Sequence, residues 1–236
     1  MIIACWSGPR NISTALMRSW SSRKDTFVSD EPFYAYYLNE TQLKHPMHKE
    51  IINKYSSNYN EIANYLIDKV PENKKIWYQK HMAHHMLDLS NIDWISCLEN
   101  CILLRKPEEV ISSYTKKNKL NSVEELGYLQ QYEIVKYLKK INKPYIVIDS
   151  EELLKNPKKS LFDWCKKINI KFDKSMLKWE KGNHINDGIW WKSWYDSVIQ
   201  TTGFYQYEKK DINIENKYDS IYNESMKYYN HLKEIR

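Results

Sequence analysis

Apolar residues in this chain fall into short continuous runs, separated by stretches where they recur every three or four positions. Ile2-Ile3-Ala4-Cys5-Trp6, Ile76-Trp77-Tyr78-Gln79-Lys80, Cys101-Ile102-Leu103-Leu104 and Tyr145-Ile146-Val147-Ile148-Asp149 have strand length, and Phe27-Val28-Ser29 is a shorter fifth. Such runs, bounded by polar or turn residues, predict strands buried on both faces. Helical spacing predicts helices over 13–22, 61–70, 107–117, 122–141 and 157–168, with Pro71 closing the second and Pro144 following the fourth. Strands alternating with helices predict an α/β fold, a parallel sheet of about five strands flanked by helices. Ligands of such sheets gather at the carboxyl ends of the strands. Those ends carry Ser7, Glu31, Lys80, Arg105 and Asp149.

The first strand runs into Ser7-Gly8-Pro9-Arg10-Asn11-Ile12-Ser13-Thr14, and Ala15-Leu16-Met17-Arg18 then continues as a helix. This is the chemistry of a phosphate cradle. N–H groups at a helix start point at an anion, the helix dipole favours negative charge, and Arg10 adds a full positive charge. The Ser13 and Thr14 hydroxyls supply donors that need no ionisation. A plain helix N-cap is the structural alternative. The segment is not a Walker A motif, because Ser13-Thr14-Ala15 stands where Gly-Lys-Ser/Thr is required. That departure argues against an ATP or GTP hydrolase.

Two later segments add to the picture. Arg105-Lys106-Pro107-Glu108-Glu109 ends the fourth strand and opens a helix with proline at its first position and acids in its first turn. Ser113 follows Arg105 by eight residues. Farther on, Lys181-Gly182 and Gly188-Ile189-Trp190-Trp191-Lys192-Ser193-Trp194 combine basic, glycine and tryptophan positions.

Taken in order, these patches resemble the P-loop sulfotransferase family over about residues 2–204. Pro9 to Thr14 fall under the family's Pro-Lys-Ser-Gly-Thr-Thr loop, with Arg10 for lysine and Ile12 for glycine. The first change keeps the charge but turns a point donor into a planar fork. The second requires ordinary φ at Ile12. Arg105 and Ser113 match the family's arginine–serine pair in spacing, with Pro107, Val110 and Tyr114 matching around them. Lys181, Gly182, Gly188, Trp190 or Trp191, and Lys192 resemble its Arg-Lys-Gly-x-x-Gly-Asp-Trp-Lys-Asn loop, with a longer gap between glycines.

The resemblance implies a sulfotransferase-like three-layer sandwich spanning 1–236, with 206–236 a C-terminal tail or surface helix. It implies transfer of a sulfuryl group from 3′-phosphoadenosine-5′-phosphosulfate (PAPS) to a hydroxyl or amine of a small molecule, with no metal. Gly8, Pro9, Arg10, Asn11, Ser13 and Thr14 would hold the 5′ end, and Arg10 would stabilise the leaving oxygen. Arg105, Ser113, Lys181, Gly182, Trp191 and Lys192 would hold the 3′-phosphate and adenine. The two anion elements are expected at opposite ends of the nucleotide, in one cleft.

The general base is open among three residues. The family's Lys-Thr-His meets Lys80-His81-Met82 here, so the histidine arrives one residue early, and one step along a strand switches faces. His81 comes first, then His85, then Glu31, which ends the second strand beside the presumed acceptor pocket. A metal site from His81, His84 and His85 is the alternative use of these histidines. Segments 33–60 and 114–135 are expected to line the acceptor pocket, with Tyr34, Tyr36, Tyr37 and Tyr114 on its wall. A nucleotide-dependent kinase and a non-catalytic anion-binding module are the rival functions.

Composition narrows these expectations a little. With 36 basic and 30 acidic residues the net charge is +6, which suits an enzyme for anionic ligands, and no nucleic-acid motif is present. Only five glycines occur, so each is expected to answer a backbone need. No apolar run reaches the roughly 18 residues of a membrane span, and the N-terminus has no basic-then-apolar leader. Four cysteines without a CxxC pair fit a reduced, cytoplasmic protein.

Overall fold

The computed structural model describes residues 1–209 and 211–235. Five strands form one all-parallel sheet: β1 Ile2–Ser7, β2 Thr26–Asp30, β3 Ile76–Met82, β4 Glu99–Leu104 and β5 Tyr145–Asp149. Their order is β2-β3-β1-β4-β5, which puts β1 at the centre. The expected α/β sandwich is borne out. Along β1 the pleat sends Ala4 and Trp6 into one apolar layer and Ile3 and Cys5 into the other. Burial on both faces is why the strands read as continuous apolar runs rather than alternating ones.

The helices are α1 Ser13–Ser21, α2 Tyr34–Thr41, α3 His48–Lys54, α4 Tyr59–Leu66 and α5 Pro107–Tyr114. They continue with α6 Tyr128–Lys140, α7 Ser150–Lys155, α8 Pro157–Lys167, α9 Trp191–Trp194 and α10 Asp219–Glu234. Leu16, Met17 and Trp20 of α1 pack with Leu161 and Trp164 of α8 on one face of the sheet. Ile62 and Leu66 of α4, Ile134 and Leu138 of α6 and Leu232 of α10 belong to the core on the other.

Three boundaries differ from the periodicity. The helix predicted over 122–141 begins only at Tyr128, because Gly127 takes a left-handed φ of 77° and residues 124–126 make a single 3-10 turn. The helix predicted over 61–70 is α4, started early by Asn58, whose side chain accepts from the Glu61 N–H at 3.1 Å. In the region predicted as tail or surface helix, α10 buries Tyr229 and Leu232, and Tyr229 Oη donates to Asp149 Oδ2 at 3.1 Å.

The sheet order fixes where a ligand can sit. From β1 the chain leaves toward β2 and β3, and from β4 it leaves toward β5, so the loops above these neighbours diverge. Beneath that crevice, Gln131 of α6 donates to the carbonyls of Trp6 (2.9 Å) and Leu103 (3.0 Å), holding both strand ends level. Among the described residues no helix is long and apolar enough to cross a membrane.

Candidate active site

The loop after β1 is shaped by close contacts rather than by glycine freedom. A Cβ on Gly8 would lie 2.3 Å from the Leu126 carbonyl oxygen, so the 124–127 turn requires a glycine there. Gly8 is therefore a packing residue, buried and off the cavity wall. Arg10 is the left-handed residue of the loop (φ 54°), an unusual state for a side chain of its size. Ile12 has the ordinary φ (−79°) that its Cβ demands. Asn11 donates from Nδ2 to Leu103 O at 2.9 Å and accepts from the Ile12 N–H at 2.9 Å, which ties the loop to β4. Helix α1 then starts without a side-chain cap and without an acid in its first turn. Its leading N–H groups, with Ser13 and Thr14, are left for an anion.

Arg105 leaves the end of β4 and makes two contacts at once. Its Nε donates to Glu109 Oε2 at 2.8 Å and its Nη1 to the Arg10 carbonyl oxygen at 2.5 Å. Arg10 in turn donates from Nε to Ser113 Oγ at 3.0 Å. Pro9, Arg10, Asn11, Ser13, Thr14, Arg105 and Ser113 all line one cavity of about 410 Å³. The shared cleft is thus present. The expectation that Arg10 stands at the opposite end from Ser113 is corrected, because its side chain reaches across to that serine. Burial and then the neighbouring Arg105 lower the Arg10 pKa, with Asp196 opposing, so two guanidinium groups are held close together here with Glu109 paired to Arg105.

Lys80, Glu31 and Tyr195, which line the same cavity, belong with Asp30 to a buried ionic knot. Lys80 Nζ donates to Asp30 Oδ1 at 2.8 Å, to Tyr195 Oη at 2.7 Å and to Glu31 Oε1. Asp30 also accepts from Tyr195 Oη at 2.7 Å and from the Gly188 N–H at 3.0 Å. Glu31, with a left-handed φ of 45°, turns its carboxylate into the cavity. Burial raises its pKa, with Lys80 opposing and Asp30 adding to the rise. Burial alone would lower the Lys80 pKa, yet the two carboxylates leave it raised.

The histidines divide by strand parity. His81, the first-ranked base, points away from the cavity: it stacks on Trp6 with ring centroids 4.3 Å apart and its Nε2 meets Gln79 Oε1 at 3.1 Å. Burial pushes its pKa down to about 3, so it is a neutral core residue. Lys80 and Met82, one step on either side, line the cavity. His85 does reach it, in a 3-10 turn over Ala83–His85, but burial holds its pKa well below the usual value. Among the described residues no group of three or more histidine, cysteine or acidic side chains could hold a metal ion, and the three-histidine alternative has no geometric support.

The 181–192 segment is placed differently from expectation. Lys181, Gly182, Trp191 and Lys192 do not line the cavity. Gly182 needs its φ of 107° and accepts from Arg18 Nη2 at 3.3 Å, while Lys192 Nζ lies 5.8 Å from the Trp191 ring centre. Arg18 also pairs with Asp187 at 2.6 Å, so the segment is clamped to α1. What reaches the cavity from here is Trp194, Tyr195, Ser197 and Val198. Tyr195 had no motif to mark it; the aromatic run 190–195 was the one available signal. Of the expected acceptor-wall tyrosines, Tyr34 and Tyr114 line the cavity, Tyr37 stacks behind His85, and Tyr36 packs against Phe33 and Tyr59.

Residues 1–235 match the family described as sulfotransferase domain. Branched-chain-amino-acid aminotransferase-like protein 1 of Arabidopsis thaliana is 33% identical over 232 residues, covering 98% of this chain and 41% of its own length. Its paralogue, protein 2, is 34% identical over 203 residues, 86% of this chain and 36% of its own length. The chain thus spans about two fifths of the curated relatives it matches. In fold it is similar to the sulfotransferase domain of the Synechococcus PCC 7002 olefin synthase, with TM-score 0.59, 14% identity and 98% and 94% of the two chains covered. A mouse sulfotransferase complexed with PAP gives TM-score 0.54 at 13% identity, covering 99% and 87%. With this match over residues 1–235, the chain belongs to the sulfotransferase domain family.

Proposed function

We propose that this protein transfers a sulfuryl group from PAPS to a hydroxyl of a small-molecule acceptor. The observation that carries this reading is the convergence, in one cavity, of the uncapped start of α1, Arg10, Arg105, Ser113 and Glu31. The donor set fits a nucleotide with two anionic ends: backbone N–H groups, two hydroxyls and two guanidinium groups, none of them needing a metal to hold phosphate. Ser13, Thr14 and the α1 N–H groups would hold the 5′ end. Arg105 and Ser113 would hold the 3′-phosphate, and Arg10 bridges the two elements. When bound, PAPS supplies the sulfuryl group.

Glu31 is the base this geometry favours. A base works best when its pKa approaches the working pH, and burial moves a carboxyl and an imidazole in opposite directions. Burial moves Glu31 up, toward the working pH, whereas it moves His85 down and makes it a weaker base. Glu31 takes the acceptor proton, and Lys80 holds its Oε1 in place. Trp194 and Tyr34 close the acceptor end with aromatic surface, joined by a bond from Trp194 Nε1 to Tyr34 Oη at 3.2 Å.

The test is direct. Thermal-shift and calorimetric titration with adenosine 3′,5′-bisphosphate (PAP), ATP, ADP and GDP, with and without Mg²⁺, should show tight metal-independent binding of PAP alone. Labelled PAPS should then pass its sulfuryl group to a hydroxylated acceptor. Mg²⁺-dependent ATP consumption would favour a kinase instead, and PAP binding without turnover on any acceptor would favour a binding module.

A further inference from the structure

The net charge of this chain is concentrated in one stretch. Residues 155–181 hold nine lysines against three acidic residues, an excess of six, which equals the +6 of the whole chain and leaves the remainder balanced. All nine lysines are exposed, and no residue of the stretch lines the cavity. Seven of the nine, all but Lys155 and Lys159, have no ion-pair partner among the described residues. Folding gathers them around one helix. α8 turns Leu161, Trp164 and Cys165 into the core that α1 shares. Lys158, Lys159, Phe162 and Lys166, spaced three or four positions apart, take its outward face. The 3-10 turn Lys174–Leu177 packs against both α8 and α1. Phe172, just before that turn, meets Phe162 edge-on with ring centres 6.2 Å apart, so the lysines of helix and turn flank one aromatic pair. Phe162 is 51% exposed, a large apolar side chain that the core does not cover.

We propose that the outward face of α8, with the turn beside it, is a docking surface for an anionic phospholipid bilayer. This surface is separate from the cavity and owes nothing to the sulfotransfer reading above. A negatively charged leaflet attracts clustered lysines, each improving partition about fivefold near the surface. The unpaired ammonium groups supply that attraction, and Phe162 supplies an apolar contact at the boundary between headgroups and acyl chains. The apolar face of α8 stays in the core, so the contact is peripheral and no helix inserts. The residue types favour a bilayer over a nucleic acid. No arginine occurs between 155 and 181. A rigid guanidinium fork suits phosphates fixed in one geometry, whereas flexible ammonium groups answer a diffuse field of headgroups. The outward face of a helix is convex, which meets a broad surface and offers no groove to an extended peptide.

Co-sedimentation of the full chain with vesicles tests this, using phosphatidylcholine alone and phosphatidylcholine mixed with phosphatidylglycerol. Binding should require the anionic lipid and should fall steeply with added salt. Lys158→Glu, Lys166→Glu and Lys171→Glu combined should weaken partition at least about 100-fold. Phe162→Ser, which leaves the charge unchanged, should weaken it roughly tenfold. Lys44→Glu, Lys49→Glu and Lys139→Glu combined make the same change in net charge outside the strip, and should have a much smaller effect. All these side chains are exposed, and thermal midpoints verify that each variant folds. Equal binding to both kinds of vesicle, or none to either, would overturn the proposal. So would undiminished binding by the folded strip variant, or an equal loss in the control variant, which would make net charge and not this face responsible. Tighter binding to a single-stranded oligonucleotide than to the mixed vesicles, at equal phosphate, would replace the bilayer with a nucleic acid.

Discussion

Arg105 donates from Nη1 to the main-chain carbonyl of Arg10 at 2.5 Å, so the residue proposed to grip one end of the nucleotide also holds the loop proposed to grip the other. The bond restrains Arg10 in its left-handed conformation (φ 54°). The second guanidinium contact, to Glu109 at 2.8 Å, sets the fork's direction from the first turn of α5.

From this follows an asymmetry between arginine and lysine at position 105. Arg105→Ala should weaken PAP binding roughly 10- to 100-fold, in line with loss of a charge-assisted contact and a loop restraint. Arg105→Lys should recover little, because a single ammonium cannot meet Glu109 and the Arg10 carbonyl in the fork's geometry. Calorimetry with PAP measures both, and full recovery by lysine would show that charge alone matters.

Glu31→Gln should lower turnover about 10²- to 10⁴-fold, the usual worth of a positioned base, with much less effect on PAP affinity. As the proposed base Glu31 would work as the carboxylate, and burial raises its pKa, so activity in the wild type should rise with pH along a limb displaced above the ordinary glutamate range. A pH–rate profile on both proteins checks the assignment. An acid limb that survives in the glutamine variant would place the base elsewhere.

The Asp30 knot should matter most to stability. Asp30→Asn leaves Lys80 with Glu31 as its one charged partner in the knot and weakens acceptance from Tyr195 and Gly188, and breaking a buried charge pair costs about 3–5 kcal/mol. Tyr195→Phe removes one hydroxyl that donates to Asp30 and accepts from Lys80, and should cost about 1–3 kcal/mol. Urea midpoints rank the two variants.

Acid sensitivity should come in part from His81. Burial lowers its pKa from 6.5 to about 3, so below pH 6.5 the unfolded chain binds a proton that the folded chain refuses. Its contribution is complete above 6.5 and is lost progressively as pH falls toward 3. Between pH 7 and 5 it amounts to about 2 kcal/mol by linkage. His81→Phe keeps the stacking on Trp6 but cannot titrate, so the difference in urea stability between pH 7 and pH 5 should shrink by about that amount.

Gly8→Ala should destabilise the fold by about 1–3 kcal/mol, because the new Cβ would sit 2.3 Å from the Leu126 carbonyl, an atom of the main chain that cannot swing away. Thermal denaturation measures it. An alanine variant as stable as wild type would mean that the 124–127 turn yields readily.

The loop proposed to hold an anion was legible as a strand–turn–helix because everything that defines it is contiguous: an apolar run, a turn, a cation, two hydroxyls and a helix start within residues 2–18. The Arg105–Ser113 element was legible for the same reason, lying within one strand end and two helical turns. His81 misled because sequence spacing places it next to Lys80 without saying which residue of the pair faces the cavity. Trp6 and Gln79 claim its ring on the far face, and that is a choice of packing. Lys192 misled because charge near a glycine loop reads as ligand chemistry, whereas Tyr195, an ordinary tyrosine in sequence, is the residue that reaches the lysine.

Local pattern therefore carried the strands, the parallel sandwich and the two strand-to-helix turns at Arg10 and Arg105, since apolar periodicity and helix-end chemistry act over a few neighbouring residues. The sheet order, the face each histidine takes and the knot of Asp30, Lys80 and Tyr195 required folding. Those partners stand 50, 115 and 165 positions apart, and they meet only because a five-stranded sheet buries their strand ends under one late loop. Charges brought together out of water are selected by burial and geometry, and neither is written at any single position of the chain.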